Sequence, residues 1–189
     1  GTIDGANYNT GVGYDVFAAL TSGDRNTAVG FAALDALTSG QQNTAVGDNT
    51  LSTLSTGDYN TAVGRAALNA NTGDKNTAVG TNAMLENSSG YENVAVGRNS
   101  LDANTTGYAN VAVGESSLTS NTEGYRNTAV GQNTLAACTT GDENTAVGQN
   151  ALNDLTTGNT NVAVGQNALA ANTTGTSNVA VGVNAGDAI

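Results

Sequence analysis

Residues 26–30 read Asn-Thr-Ala-Val-Gly, and near-copies of this segment recur along the whole chain. The step between copies is 17 residues, except for a step of 16 from Asn60 to Asn76. A short fixed period indicates that each copy is one structural unit, which buries its apolar face by stacking on its neighbours. The anchoring asparagine, called position 1 below, is Asn9, Asn26, Asn43, Asn60, Asn76, Asn93, Asn110, Asn127, Asn144, Asn161 and Asn178.

Several positions of the repeat are restricted to one or two residue types. Position 2 is Thr or Val, position 3 is Ala in ten copies, and positions 4 and 5 are Val and Gly in all eleven. Positions 1 to 4 predict a short strand, since β-branched residues are separated by a small one and the segment lies between Gly at position 15 and Gly at position 5. These glycines predict bends at both ends of the strand. Strand alternation places positions 2 and 4 on one face and positions 1, 3 and 5 on the other.

Positions 6 to 14 predict a return arm, whose apolar anchor is position 9, a leucine in eight copies. Position 12 is Leu in some copies, Asn in others and Cys138 in one. The spacing between Leu34 and Leu37 suits a single helical turn, and it equally suits a second short strand. The sequence leaves these two alternatives open.

The repeat favours an all-β fold, namely a parallel β-solenoid of eleven 17-residue coils in a single repeat domain at residues 1–189. A coiled coil is excluded because the period is no multiple of 7 or 11 and glycines interrupt every copy. Stacked coils about 4.8 Å apart give a rod roughly 50 Å long. Because the chain starts and stops within the repeat rhythm, we expect it to be a fragment of a longer fibrous protein.

The recurring asparagine predicts a structural ladder, in which stacked amides hydrogen-bond from coil to coil. A second reading is that Asn suits the turn conformation at this point. Both readings are structural. The predicted ladder comprises Asn26, Asn43, Asn60, Asn76, Asn93, Asn110, Asn127, Asn144, Asn161 and Asn178.

Composition and charge exclude several classes of function. The net charge is −11 with only five Lys and Arg residues, so we expect no nucleic-acid partner. No apolar run approaches the roughly 18 residues that span a bilayer, and no membrane insertion of this segment is expected. Histidine is absent, which excludes Ser-His-Asp and Cys-His catalysis. Cys138 is the single cysteine and can form no internal disulfide. We expect no enzyme, no cofactor and no metal.

The turn positions are the ones free to specify a partner. Tyr91, Tyr108 and Tyr125 occupy position 16 of three successive coils and are candidates for surface contact, because tyrosine offers area and a polar tip. The alternative is self-stacking that stiffens an exposed turn. Aspartates at the same position, such as Asp58 and Asp142, are interpreted as solvated turn charges rather than calcium ligands.

The string Gly-x-x-Asn-Thr/Val-Ala-Val-Gly, as at residues 90–97, resembles the head repeat of YadA-like trimeric autotransporter adhesins, whose phrase is Gly-x-x-Ser-Val-Ala-Ile-Gly. With Thr-Thr-Gly before it and Ala-Leu after it, the phrase also looks like repeats of phage and prophage tail-fibre proteins. This resemblance implies a left-handed parallel β-roll, three chains about one axis, and exposure outside a cell or on a virion. Two departures are the longer 17-residue repeat and the Asn in place of Ser.

The expected function is that of a homotrimeric fibre or adhesin-head segment, a rigid spacer that also contacts surfaces. Trimer formation has its own physical argument, because a narrow roll of Ala and Val buries little apolar area against chain entropy. Two apolar rows, positions 2 and 4 and then position 9, would serve an internal and an intersubunit core. The expected partners are other copies of the chain and a host or cell-surface glycan or matrix protein. The alternative is an ice-binding solenoid that uses the Thr/Ser columns at positions 13 and 14.

Overall fold

A computed structural model describes residues 5–186 as one continuous stack of coils. Within these residues it contains eleven strands of three residues each and no helix. Each strand comprises positions 2 to 4 of one repeat, as the sequence predicts. The strands are β1 Thr10–Val12, β2 Thr27–Val29, β3 Thr44–Val46, β4 Thr61–Val63, β5 Thr77–Val79, β6 Val94–Val96, β7 Val111–Val113, β8 Thr128–Val130, β9 Thr145–Val147, β10 Val162–Val164 and β11 Val179–Val181.

The eleven strands form one parallel sheet in chain order, so every coil pairs only with the coils before and after it. The register sets equivalent residues side by side, as in Thr27 with Thr44 and Val29 with Val46. This arrangement confirms the predicted all-β parallel solenoid. Since each strand is so short, the sheet is a narrow band along one side of the rod.

The 16-residue step leaves the register of the sheet unchanged, because Thr61 still pairs with Thr77. The missing residue lies in the turn at positions 13 and 14. In a full coil, the N–H groups of Thr38 and Ser39 both donate to the carbonyl of Ser55. In the shortened coil, Thr72 alone donates to the carbonyl of Ser88, from its N–H and from its hydroxyl.

The core consists of Ala at position 3, the small residue at position 8, the large residue at position 9 and the residue at position 12. In the third coil these are Ala45, Thr50, Leu51 and Leu54, all with no exposed surface. The side chains of positions 2 and 4 point outward, and Val46 keeps 36% of its surface exposed. The predicted alternation is therefore confirmed, and the sheet divides its apolar residues between an inner core and an outer face.

The return arm is neither of the two predicted alternatives. Positions 7 and 9 have positive φ in each complete coil, as at Ala32 (48°) and Leu34 (51°), and such residues interrupt helix and strand alike. The arm is nonetheless tied to both neighbours. The N–H of Ala32 donates to Tyr14 in the preceding coil, and the N–H of Leu34 donates to Thr50 in the following coil.

The two glycines of each repeat differ in their roles. Gly30, at position 5, has a φ of 147°, so it provides the predicted bend after the strand. Gly40, at position 15, has no such φ. A Cβ atom there would meet the carbonyl oxygen of Gly57, so this glycine permits the close approach of successive coils.

Candidate functional site

The asparagines at position 1 form a column of hydrogen-bonded amides inside the rod. The Asn43 amide donates to Asn26 Oδ1 (3.1 Å) and to the carbonyl of Gly57 (2.8 Å). The backbone N–H of Asn43 donates to the same Asn26 oxygen (2.9 Å). Most coils repeat this set, and the buried amides thereby satisfy their own polar groups together with those of the turn. The column stabilises the stack and offers no surface to a ligand.

A second buried column lies at position 12, and sequence reasoning assigned it no role. Asn87 donates to Asn71 (2.7 Å) and Asn121 donates to Asn104 (2.8 Å), each between Nδ2 and Oδ1. Each amide also donates to the glycine carbonyl of its own turn, as Asn104 does to Gly107 (2.9 Å). The sequence does contain a signal for this column, because position 12 is Asn in four successive coils where other coils have a buried Leu.

Cys138 ends this second column. Its thiol is buried and lies 3.6 Å from the carbonyl of Gly141. Burial raises the pKa of the thiol to about 11, so Cys138 stays protonated at neutral pH. The Oδ1 atom of Asn121, which faces this coil, is buried without a hydrogen-bond partner. The cysteine is therefore a core residue with no reactive character.

The three candidate contact tyrosines stack on one another. The ring centroids of Tyr91 and Tyr108 are 5.0 Å apart, and those of Tyr108 and Tyr125 are 4.9 Å apart, with interplanar angles of 3° and 5°. The guanidinium carbon of Arg126 lies 5.7 Å from the Tyr125 ring centroid. The faces of the central ring are thus covered by its neighbours. The group presents ring edges and hydroxyls, spaced by one coil, to a partner.

The pKa of Tyr125 is raised, chiefly because the negative charge of Asp142 opposes a phenolate. Asp142 itself accepts a hydrogen bond from the backbone N–H of Tyr125 (3.0 Å). Asp58 accepts one in the same way from Gln41 in the preceding coil (2.7 Å). Aspartate at position 16 therefore joins one turn to the next, which is more specific than a solvated charge. No group of three or more His, Cys, Asp or Glu side chains within residues 5–186 could hold a metal ion.

All five basic residues are engaged with the neighbouring coil. Four of them pair with an acid at the same position of an adjacent coil, and Arg25 lies over the ring of Tyr8 (5.6 Å). These exposed pairs contribute little stability individually, but they leave the surplus of negative charge uncompensated on the rod surface. The pairs are Arg65 with Asp48, Lys75 with Glu92, Arg98 with Glu115, and Arg126 with Glu143.

The Thr/Ser column at position 13 uses its hydroxyls within the chain. Thr38 donates to the carbonyl of Ser55 (3.1 Å), and Thr105 donates to that of Thr122 (2.9 Å). The neighbouring column at position 14 is exposed and includes Thr106 and Thr140. Only one of the two columns predicted to bind ice therefore presents unengaged hydroxyls.

The outer face of the sheet, formed by positions 2 and 4 of all eleven strands, is a stripe of β-branched side chains. Along its middle, Val63, Val79 and Val96 keep 37–38% of their surface exposed. With eleven strands about 4.8 Å apart, the stripe is about 50 Å long. Its area is on the order of 500 Å², near the upper limit of apolar patches on monomers. This sheet face and the tyrosine stack are the two candidate contact surfaces.

This geometry defines a parallel β-solenoid repeat protein with a thin core of small side chains and buried amide columns. No family model, no curated protein and no solved structure matches the chain. In the described part, residues 5–186, no helix is long and apolar enough to cross a membrane.

Proposed function

We propose that this chain is a segment of a homotrimeric fibre or adhesin head, exposed outside a cell or on a virion, where it acts as a rigid spacer and contacts surfaces. The observation that carries the proposal is the sheet face. An uninterrupted row of outward valines on one side of the rod is a surface that identical chains would bury by packing in parallel about a common axis.

The physical argument begins with the thin core. From β2 to β9, each coil buries Ala at position 3, a small residue at position 8 and one large apolar residue at position 9, whereas position 1 is Asn and position 12 is Asn in several coils. Burial of the outer valines against other chains adds apolar area at about 25 cal/mol per Å². Three copies that turn this face inward would bury Val63, Val96 and their equivalents, and would leave the return arms outside.

The rod itself supports the spacer role. Hydrogen bonds join every coil to the next on both the sheet side and the return arm, and ion pairs such as Lys75 with Glu92 run parallel to them. No linker interrupts the register between β1 and β11. A rod of this kind holds its two ends a fixed distance apart. Its exposed turns remain available for contact with a partner.

Sedimentation of the purified chain tests the assembly. We expect a trimer at micromolar concentration, and we expect Val96→Lys with Val113→Lys to give a folded monomer, because charges would be buried at the centre of the interface. Thr106→Lys with Thr140→Lys, on the turn, is the matched control and should remain trimeric. A wild-type chain that sediments as a monomer would refute the trimer.

The tyrosine stack is the proposed surface contact, with a cell-surface glycan or a matrix protein as partner. Because ring faces are covered and hydroxyls are not, the informative change is Phe for Tyr at residues 91, 108 and 125, which keeps the stack. We expect this triple variant to lose binding to a glycan array or to cells while its melting temperature stays constant. Tyr59→Phe is the control. Unchanged binding would reduce the stack to a structural role.

Ice binding, predicted from the Thr/Ser columns at positions 13 and 14, is the second candidate, and the outward threonines at position 2 of β1 to β5 add a further row of hydroxyls. These residues alternate with valines on adjoining rows, giving a regular array of hydroxyls and methyl groups. The same face cannot serve both functions in one assembly. Thermal hysteresis separates them: activity in a monomeric sample supports ice binding, and its absence at millimolar concentration removes it.

A further inference from the structure

Position 2 is the variable position on the sheet face. Position 4 is Val in every strand and therefore looks the same from any coil. Position 2 changes in blocks: Thr in β1 to β5, Val in β6 and β7, Thr in β8 and β9, and Val in β10 and β11. The face consequently carries a pattern that distinguishes one coil from another.

The threonine hydroxyls on this face have no hydrogen-bond partner within the chain. Thr27, Thr44 and Thr128 make no side-chain hydrogen bond to other described residues, whereas the hydroxyl of Thr38 on the turn donates to Ser55. A hydroxyl whose partner lies outside its own chain bonds to water while the face is exposed. When the face is covered, the hydroxyl needs an acceptor on the covering molecule.

We propose that this block pattern sets the register in which identical chains associate through the sheet face. The inference rests on the proposed function, in which copies of this chain cover the face. In a repeat rod, neighbouring chains could pack after sliding by one coil, about 4.8 Å, with almost the same backbone contacts. The pattern at position 2 selects the arrangement without sliding.

In the unshifted arrangement, each coil meets the same coil of its neighbours, so Thr faces Thr and Val faces Val. Threonine hydroxyls then bond to one another across the interface. A slide of one coil puts Thr against Val at three places: Thr77 with Val94, Val111 with Thr128, and Thr145 with Val162. Each such contact buries a hydroxyl against methyl groups and leaves it without an acceptor.

A slide of two coils is worse matched, whereas a slide of four coils pairs Thr with Val at only two of seven places, Thr27 with Val94 and Thr44 with Val111, and is opposed instead by the four coils left uncovered at each end. A slide of two coils overlaps nine pairs of coils, and six of these pair Thr with Val, beginning with Thr61 against Val94 and ending with Thr145 against Val179. Larger slides also uncover more of the face at both ends. The specificity comes from differences between registers, which is how repetitive interfaces exclude wrong alignments.

Disulfide trapping measures the register directly. Two chains are prepared in a Cys138→Ala background, one with Val96→Cys and one with Val113→Cys, each carrying a different tag. Equal amounts are unfolded together, refolded and oxidised. Cross-links within one tag report the unshifted register, and cross-links between the tags report a slide of one coil. We expect the first kind to exceed the second at least tenfold, an energy difference of about one hydrogen bond.

The pattern is then removed. Thr replaces Val at residues 94, 111, 162 and 179, so that position 2 is uniform, and the two kinds of cross-link should become equal within about twofold. The control places Ile at the same four positions, which retains the blocks and should retain the selectivity. Circular dichroism confirms that each variant is folded.

The outcomes separate the register from the trimer. A folded monomer without cross-links overturns the proposed function and the register with it. A wild-type trimer with equal amounts of both cross-links overturns the register alone. Selectivity that survives in the uniform-Thr trimer shows that position 2 does not set the alignment, and overturns the inference.

Discussion

The coils of the first third and those of the middle differ in the residue that they bury at position 12. At position 12 the former bury Leu20, Leu37 and Leu54, and the latter bury Asn71, Asn87, Asn104 and Asn121. The strands of both regions pair in the same register, although the turn of the coil that holds Asn71 is one residue shorter. The comparison shows that position 12 of a coil accepts either an apolar side chain or an amide. The apolar side chain needs no partner, whereas the amide needs hydrogen-bond partners in the neighbouring coils.

The need of each amide for a partner is visible where an asparagine at position 12 lies next to a coil that has Cys or Leu there. Asn121 faces the coil of Cys138 and keeps an unpaired Oδ1, and Asn172 follows the coil of Leu155 and keeps an unpaired Nδ2. Within the run, by contrast, Asn104 donates to Asn87 (2.5 Å) and accepts from Asn121. In the run of four, the cost therefore falls on the last amide, Asn121, since Asn71 at its start bonds to Gly73, whereas a leucine column has no such cost.

The largest expected effect comes from placing one amide among the leucines. Leu37→Asn removes buried apolar area and leaves an amide whose neighbours, Leu20 and Leu54, can neither donate nor accept. We expect a loss of about 3–5 kcal/mol of unfolding free energy, measured by urea denaturation. Ser39→Asn, on the exposed turn of the same coil, is the control. A loss below about 1 kcal/mol would mean that position 12 does not discriminate between the two chemistries.

The reverse substitution within the amide run should cost less. Asn104→Leu leaves Asn87 Oδ1 without its donor and takes one acceptor from Asn121, although the glycine carbonyls of both turns remain bonded to their amides. We expect a loss of about 1–3 kcal/mol, read as a lower urea midpoint with an unchanged fold by circular dichroism. An increase in stability for this single variant would show that the hydrogen bonds of the amide column do not stabilise the fold.

Replacing the whole run should be milder than replacing its centre. With Leu at residues 71, 87, 104 and 121 together, no amide in the run is left with a lost partner, although the N–H of Gly73 loses its acceptor, Asn71 Oδ1 (3.2 Å). Removal of both partners of a buried hydrogen bond is close to neutral. We expect the fourfold variant to be more stable than Asn104→Leu, which is the opposite of additive behaviour. If the loss in the fourfold variant equals the sum of the losses in the four single variants, the amides are not coupled.

The smallest effect is expected at Cys138, which follows the last asparagine of the run at position 12. Cys138→Asn supplies a donor for Asn121 Oδ1 and moves the unpaired oxygen one coil further, against Leu155. The number of unpaired groups stays the same, so the stability should change by less than about 1 kcal/mol. Thermal melts of this variant beside Cys138→Ala separate the amide from the loss of the thiol.

The period and residue types of the repeat were enough to predict the strands, the parallel stacking and the alternation of Ala45 inward and Val46 outward. The return arm could not be predicted, because Leu34 adopts a positive φ that leucine disfavours by itself and that only the stacked neighbours impose. For the candidate site, the repeat predicted that the three tyrosines occupy the same position of successive coils. It could not give their ring orientation, which decides whether faces or edges meet a partner.

The left-handed residues of each coil also bear on how the rod forms. Each complete coil has them at positions 7, 9 and 17, as at Ala32, Leu34 and Gln42. At about 1–2 kcal/mol for each residue, a coil on its own would carry roughly 3–6 kcal/mol of unfavourable backbone conformation. A free coil has nothing to offset this, whereas a coil laid on an existing end gains a full set of hydrogen bonds at once. The finished end thus acts as a template, and we expect the rod to grow from a seed by successive addition of coils.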